Sequence, residues 1–133
     1  MSIIDLKKIV KSDMYEIALH NSKKYIVLSL IGVWDRKSKL DLYIDDIKYA
    51  LQKVTQGFSV ILDLTQYRGS ASEFTHMHIE AQKLAIDTGL NKTAVVMPNN
   101  PMLKVTVDYI FEQTGISALY FNNIASAENW VSL

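Results

Sequence analysis

Residues 14–20, "MYEIALH", alternate apolar and polar side chains. That is the period of a strand with one exposed face, and it predicts an edge strand. "NSKK" follows as a turn, with Asn21 and Ser22 as turn formers. Residues 25–32, "YIVLSLIG", are almost wholly apolar, the pattern of a strand buried on both faces. Together the two segments predict an antiparallel hairpin. Residues 1–11 fit either a short helix or an added strand.

The period then changes. In residues 39–54, "KLDLYIDDIKYALQKV", Leu40, Tyr43, Ile44, Ile47, Leu51 and Val54 recur at three and four, giving a helix with one apolar face. Gly57 breaks this pattern, and "FSVILDL" (58–64) predicts a buried strand. A polar loop, "TQYRGSAS" (65–72), leads into a second amphipathic helix over 72–88, with Phe74, Met77, Ala81, Leu84 and Ala85 inward. Ser72 is its candidate N-cap, with Glu73 in the first turn. Gly89 is its expected stop. "TAVVM" (93–97) is a strand, and "PNNP" is a loop in which Asn100 caps a helix and Pro101 takes its first position. That helix runs over 102–114 and stops at Gly115. "ALYF" (118–121) is the last strand, and 126–133 is a closing helix capped by Ser126.

The expected order is β-β-α-β-α-β-α-β-α. Helical crossovers between buried strands imply an α/β fold with a mixed sheet, mostly parallel, and an antiparallel strand at one edge. With no repeat or linker visible, residues 1–133 are expected to form a single domain. Second apolar pairs also lie off the core stripes: Leu42 with Tyr49, Ile79 with Ile86, and Met102 with Val105 and Tyr109. They predict either helices covered on two sides or a surface for self-association or a partner.

Composition narrows the function classes. The chain has 133 residues, 49% of them hydrophobic, which is globular and against disorder. Its 14 basic and 14 acidic residues balance, so nothing in the net charge calls for nucleic acid or an anionic membrane. The absence of cysteine removes disulfides, thiolate metal sites and thiol catalysis. It fits a reducing cytoplasm. Asp5, Lys7 and Lys8 interrupt the first apolar residues, so no signal peptide is expected. The longest apolar stretch, "YIVLSLIGVW", is half of the ~20 residues that a spanning helix needs.

In open sheets of this class, ligands sit beyond the carboxyl ends of the parallel strands. The loops expected there are 65–72, 98–101 and 122–126, with "GVWD" (32–35) beside them. They offer Thr65, Ser70, Ser72, Asn99, Asn100, Asn122 and Asn123, together with Tyr67 and Arg68. A serine nucleophile needs a positioned base. His76, one helical turn beyond Ser72, is the candidate for Ser72 or Ser70, and no orienting acid accompanies it. A hydrolase of that kind requires the His76 imidazole within roughly 2.6–3.2 Å of a serine hydroxyl. His76 and Glu80 share an i,i+4 spacing that suits a metal, but Lys83 and Asp87 on the same face mark it as solvated, and no metal site is assigned. His78, at the edge of the apolar stripe, reads as a packed histidine. No glycine-rich phosphate loop occurs, and no cofactor is expected. Ser72 at a helix start is open to two readings, a cap or a phosphate acceptor. Asp63, between Leu62 and Leu64, is expected to take amide or hydroxyl partners and tie down the adjoining loop.

"GFSVILDLTQYRGSAS" followed by a helix, with "KTAVVMPNN" and the closing "ALYFNNIASAENWVSL", resembles the STAS domain over nearly the whole chain. This is the fold of sulfate-transporter tails, anti-sigma-factor antagonists and small stand-alone bacterial proteins. The resemblance places Ser72 on the serine that a partner kinase phosphorylates in the antagonists. Ala71, Glu73 and Phe74 stand where that motif has Asp, Ser and Gly. "VILDL" is also similar to the phosphoacceptor strand of receiver domains, but a receiver opens with a strand, an acidic pair and a helix, and keeps a lysine after its last strand. The resemblance implies a non-enzymatic module acting through a protein partner or a small or lipidic ligand, with Thr65, Tyr67, Arg68, Ser70 and Ser72 at the contact and Asn99 and Asn100 on a second loop.

Overall fold

The computed structural model describes residues 6–22 and 24–133. Six strands form one sheet in sequence order: β1 (Leu6–Lys11), β2 (Tyr15–His20), β3 (Tyr25–Trp34), β4 (Ser59–Ser70), β5 (Thr93–Val96) and β6 (Ala118–Phe121). The first two pairings are antiparallel, and β3 to β6 are parallel. Four helices accompany the parallel strands: α1 (Tyr43–Leu51), α2 (Thr75–Thr88), α3 (Pro101–Thr114) and α4 (Ile124–Val131). The mixed α/β sheet is as expected, with one difference. Residues 6–11 form an extra strand, so β2 lies inside the sheet rather than at its edge. Residues 1–5 and Lys23 of the turn lie outside the described residues.

The two periods explain the layers. One face of the sheet, built from Ile17, Leu19, Ile26, Leu30, Leu64 and Val95, packs under α1, α2 and α3. The other, from Ala18, Tyr25, Val27, Ile61, Ala94 and Val96, meets Ala127 and Trp130 of α4. β1, at the open edge, carries Lys7, Lys8 and Lys11 and a bulge between Lys8 and Val10, devices that discourage edge pairing.

Helix ends obey local chemistry. Asn100 caps α3 by accepting from the Leu103 N–H at 3.1 Å, with Pro101 in the first turn. Asn123 accepts from the Ser126 N–H at 2.9 Å and caps α4, which therefore starts two residues before the expected helix and leaves Ser126 as the donor. Gly89 and Gly115 end α2 and α3 in the left-handed conformation, at φ of 103° and 80°. The off-stripe residues Leu42, Tyr49, Ile86, Met102, Val105 and Tyr109 are exposed, while Ile79 is half-buried. No helix among the described residues is long and apolar enough to cross a membrane.

A Cβ on Gly89 would lie 2.5 Å from Gln56 Cγ and 3.2 Å from its Cα, on a backbone that L side chains rarely adopt. Gly89→Ala is expected to lower unfolding free energy by about 1–3 kcal/mol, from backbone strain plus displacement of the 55–58 turn. Urea denaturation at neutral pH measures this, and an unchanged midpoint would show that both segments yield freely.

Candidate functional site

The segment expected to be a loop after residue 64 is strand up to Ser70. Its partner is β3, also longer than expected and ending at Trp34. The pairing is not regular. Ser29 faces Asp63 while Ile31 faces Gln66, and Gly32 faces Tyr67 while Val33 faces Gly69. Each step gives β4 one extra residue, so β4 carries two bulges, and Gly69 adopts a φ of 110° at the second. Bulges re-aim side chains. Here the inward residues of β4 run Leu64, Tyr67, Ser70, at intervals of three instead of two.

The consequence is a hydrogen-bonded trio. Ser70 Oγ lies 3.1 Å from His78 Nε2 on α2, and Tyr67 Oη is 3.3 Å from the same nitrogen and bonded to Ser70 Oγ. The His78 ring stacks on the indole of Trp34, with centroids 5.0 Å apart and planes at 25°. Burial lowers the His78 pKa from 6.5 to about 4, so the imidazole is neutral at pH 7. Burial also raises the Tyr67 pKa, against a smaller opposing effect of the Ser70 hydrogen bond. The trio is therefore an uncharged set of donors and acceptors.

Around it, Asp63 does what its position implied. It accepts from the Thr65 N–H at 3.0 Å and the Thr65 hydroxyl at 2.7 Å, which fastens the first bulge. Thr65 and Arg68 are exposed, and Tyr67 is buried. Ser72 is exposed and opens a 3-10 turn, Ser72–Phe74, that precedes α2. Neither this turn nor α2 has a side-chain cap, so the expected capping role of Ser72 is not found. The helix keeps its expected phase, with Met77, Ala81, Leu84 and Ala85 toward the core and His78 buried at the edge of that face. His76 is exposed and bonds to neither serine, while His78 occupies the place beside Ser70. The Ser72–His76 and Ser70–His76 pairs are thus not formed. Of the second loop, Asn99 is exposed and Asn100 is committed to its cap. No group of three or more His, Asp or Glu among the described residues could hold a metal.

Behind the trio, between the sheet and α1, α2 and α3, lies an apolar cavity of about 120 Å³. Sequence reasoning missed the Ser70–His78 contact. The one signal for it was Gly69 inside an otherwise extended segment, since an isolated glycine in a strand marks a bulge.

No family model and no curated protein matches the chain. Solved structures do. An uncharacterised protein with a SpoIIAA-like fold from Shewanella loihica PV-4 matches with a TM-score of 0.59 at 14% identity, over 92% of this chain and 98% of that one. The Bacillus cell fate determinant SpoIIAA in its phosphorylated form matches at 0.50 and 14%, over 94% and 98%. The anti-sigma factor antagonist SpoIIAA in its unphosphorylated form gives 0.49 and 16%, over 96% and 97%. The chain has the STAS-like, SpoIIAA-like fold.

The depressed His78 pKa ties stability to pH. The unfolded chain takes up a proton near pH 6.5 that the folded chain refuses until about 4, so stability is full above 6.5 and falls as pH drops. About 2 kcal/mol should be lost between pH 7 and 5 through this group. Urea midpoints at the two pH values for wild type and His78→Gln check this. The variant should show the smaller drop.

Proposed function

We propose that the protein is a regulatory module that works by contact rather than catalysis, as a single domain in the cytoplasm. Its contact centre is the segment from Thr65 to Ser72 with the start of α2. The observation that carries this reading is the pair of bulges in β4. They leave Arg68 outward while Tyr67 and Ser70 are tied to His78 beneath, and Ser72 is exposed just past the strand, so an exposed surface is held on a rigid base. Asn99 extends that surface from the neighbouring loop. The Ser72 hydroxyl is exposed and free of a capping bond, open to a phosphate-transferring partner. The fold is shared with a Bacillus protein whose structure is known in a phosphorylated form, which agrees with this.

Chemistry at the trio argues against a hydrolase. A general base works best with a pKa near the operating pH. His78, held to about 4, is a poor acceptor for the Ser70 proton at neutral pH. The cavity favours a second reading in which a small or lipidic ligand is taken up behind the same segment. The exposed stripe Met102, Val105 and Tyr109 on α3 is the surface for self-association.

Native mass spectrometry of protein purified from its own host, followed by denaturing mass, tests the contact centre. Wild type is expected to carry a protein partner, or a phosphate increment that Ser72→Ala removes. Arg68→Glu is expected to weaken a retained complex by about tenfold or more, since like-charge juxtaposition at a contact is costly. A wild-type chain with neither partner nor phosphate, or a complex indifferent to Arg68→Glu, would sink this assignment.

A further inference from the structure

The cavity behind the trio has a shape and a chemistry that select a ligand class. A single water needs on the order of 10–15 Å³ of such space, and apolar cavities stay dry. The 120 Å³ here is walled mainly by aliphatic and aromatic side chains. Its wall runs along β4 from Val60 to Ser70. Those residues pair with Ile26 and Trp34, eight apart on β3, a span of roughly 25 Å at ~3.3 Å per residue. A flexible chain can follow a wall of that length, where a rigid ring system would touch only part of it.

Thr75, Gln82 and Thr106 of α2 and α3 also reach the wall, and its polar groups on the sheet side lie at two places. At one end is the Tyr67–Ser70–His78 trio. Toward the other is Thr93, which pairs with Val60, is 4% exposed and lines the cavity. Its Oγ1 is buried and has no hydrogen-bond partner. No lining side chain is Asp, Glu, Lys or Arg. His78, the one lining group that could carry positive charge near neutral pH, is kept neutral by burial. A carboxylate or phosphate seated here would be buried without a counter-ion, which is strongly unfavourable.

We propose that this cavity binds an uncharged, chain-like amphiphile, such as a fatty alcohol or a neutral acyl or isoprenoid lipid, with its hydroxyl or carbonyl at the Tyr67–Ser70–His78 trio. The proposal rests on the ligand reading of the cavity and is independent of the protein contact at Arg68.

Calorimetric and thermal-shift titrations of the full chain at pH 7.5 with 1-decanol, decanoate and decylammonium test it. Saturable binding of 1-decanol is expected, with decanoate and decylammonium weaker by at least about tenfold, because each would bury an unpaired charge. Ser70→Ala, which removes one trio hydroxyl, is expected to weaken 1-decanol about three- to tenfold. Ala85→Leu fills the cavity from α2, and it is expected to keep the wild-type circular dichroism and lose 1-decanol binding. Decanoate binding as tightly as 1-decanol, no saturable 1-decanol binding to wild type, or binding undiminished in a folded Ala85→Leu each overturns the proposal. If 1-decanol fails while the Arg68-dependent complex persists, the ligand reading alone falls. The reverse result removes the protein contact and leaves the ligand.

Discussion

The indole of Trp34 has no exposed surface, and the end of the molecule that carries the candidate site is organised around it. Its ring meets Tyr15 of β2, Tyr43 of α1, Tyr67 of β4, Phe74 of the 3-10 turn and His78 of α2, with centroids 5.0 to 6.4 Å apart. Most of these contacts are edge-to-face, the arrangement that aromatic quadrupoles favour. The indole N–H donates to the Met14 carbonyl at 3.1 Å, so the polar atom brought inside with the ring is satisfied. One side chain at the end of β3 thereby fixes the position of both strands beside it and of the first two helices.

That anchor gives the bulges of β4 their effect. A bulge by itself only shifts the alternation of a strand. With Trp34 holding Tyr67 and His78 at fixed places, the shift brings Ser70 to the imidazole and leaves Arg68 outside. Asp63 and Thr65 secure the first bulge through two short-range hydrogen bonds, and Gly69 supplies the positive φ of the second. Rigidity beneath and exposure on top are then properties of one twelve-residue strand.

The same packing decides the character of the trio. Tyr67, Ser70 and His78 are types that serve catalysis elsewhere, yet burial against Trp34 keeps the histidine neutral. What remains is a short, uncharged row of hydrogen-bonding groups at one end of an apolar cavity.

The sequence by itself determined the order and class of the elements from Tyr15 onward. Periods of two and of three to four are local, and so are the stops at Gly89 and Gly115 and the cap at Asn100. They also marked Asp63 as the anchor of the segment that begins at Thr65, and a second apolar stripe on α3 that the structure leaves exposed. Only the tertiary structure decided that 65–70 is strand, that Ser72 does not cap, and that His78 rather than His76 stands beside Ser70. The physical reason is the same in each case. Past Leu64 the alternation of β4 is set by pairing with β3, through two bulges that no period of two records, and these carry Ser70 round to the imidazole that α2 turns inward. Such phases depend on a partner strand and on the ring of Trp34, both distant in the chain, and not on the residues that obey them.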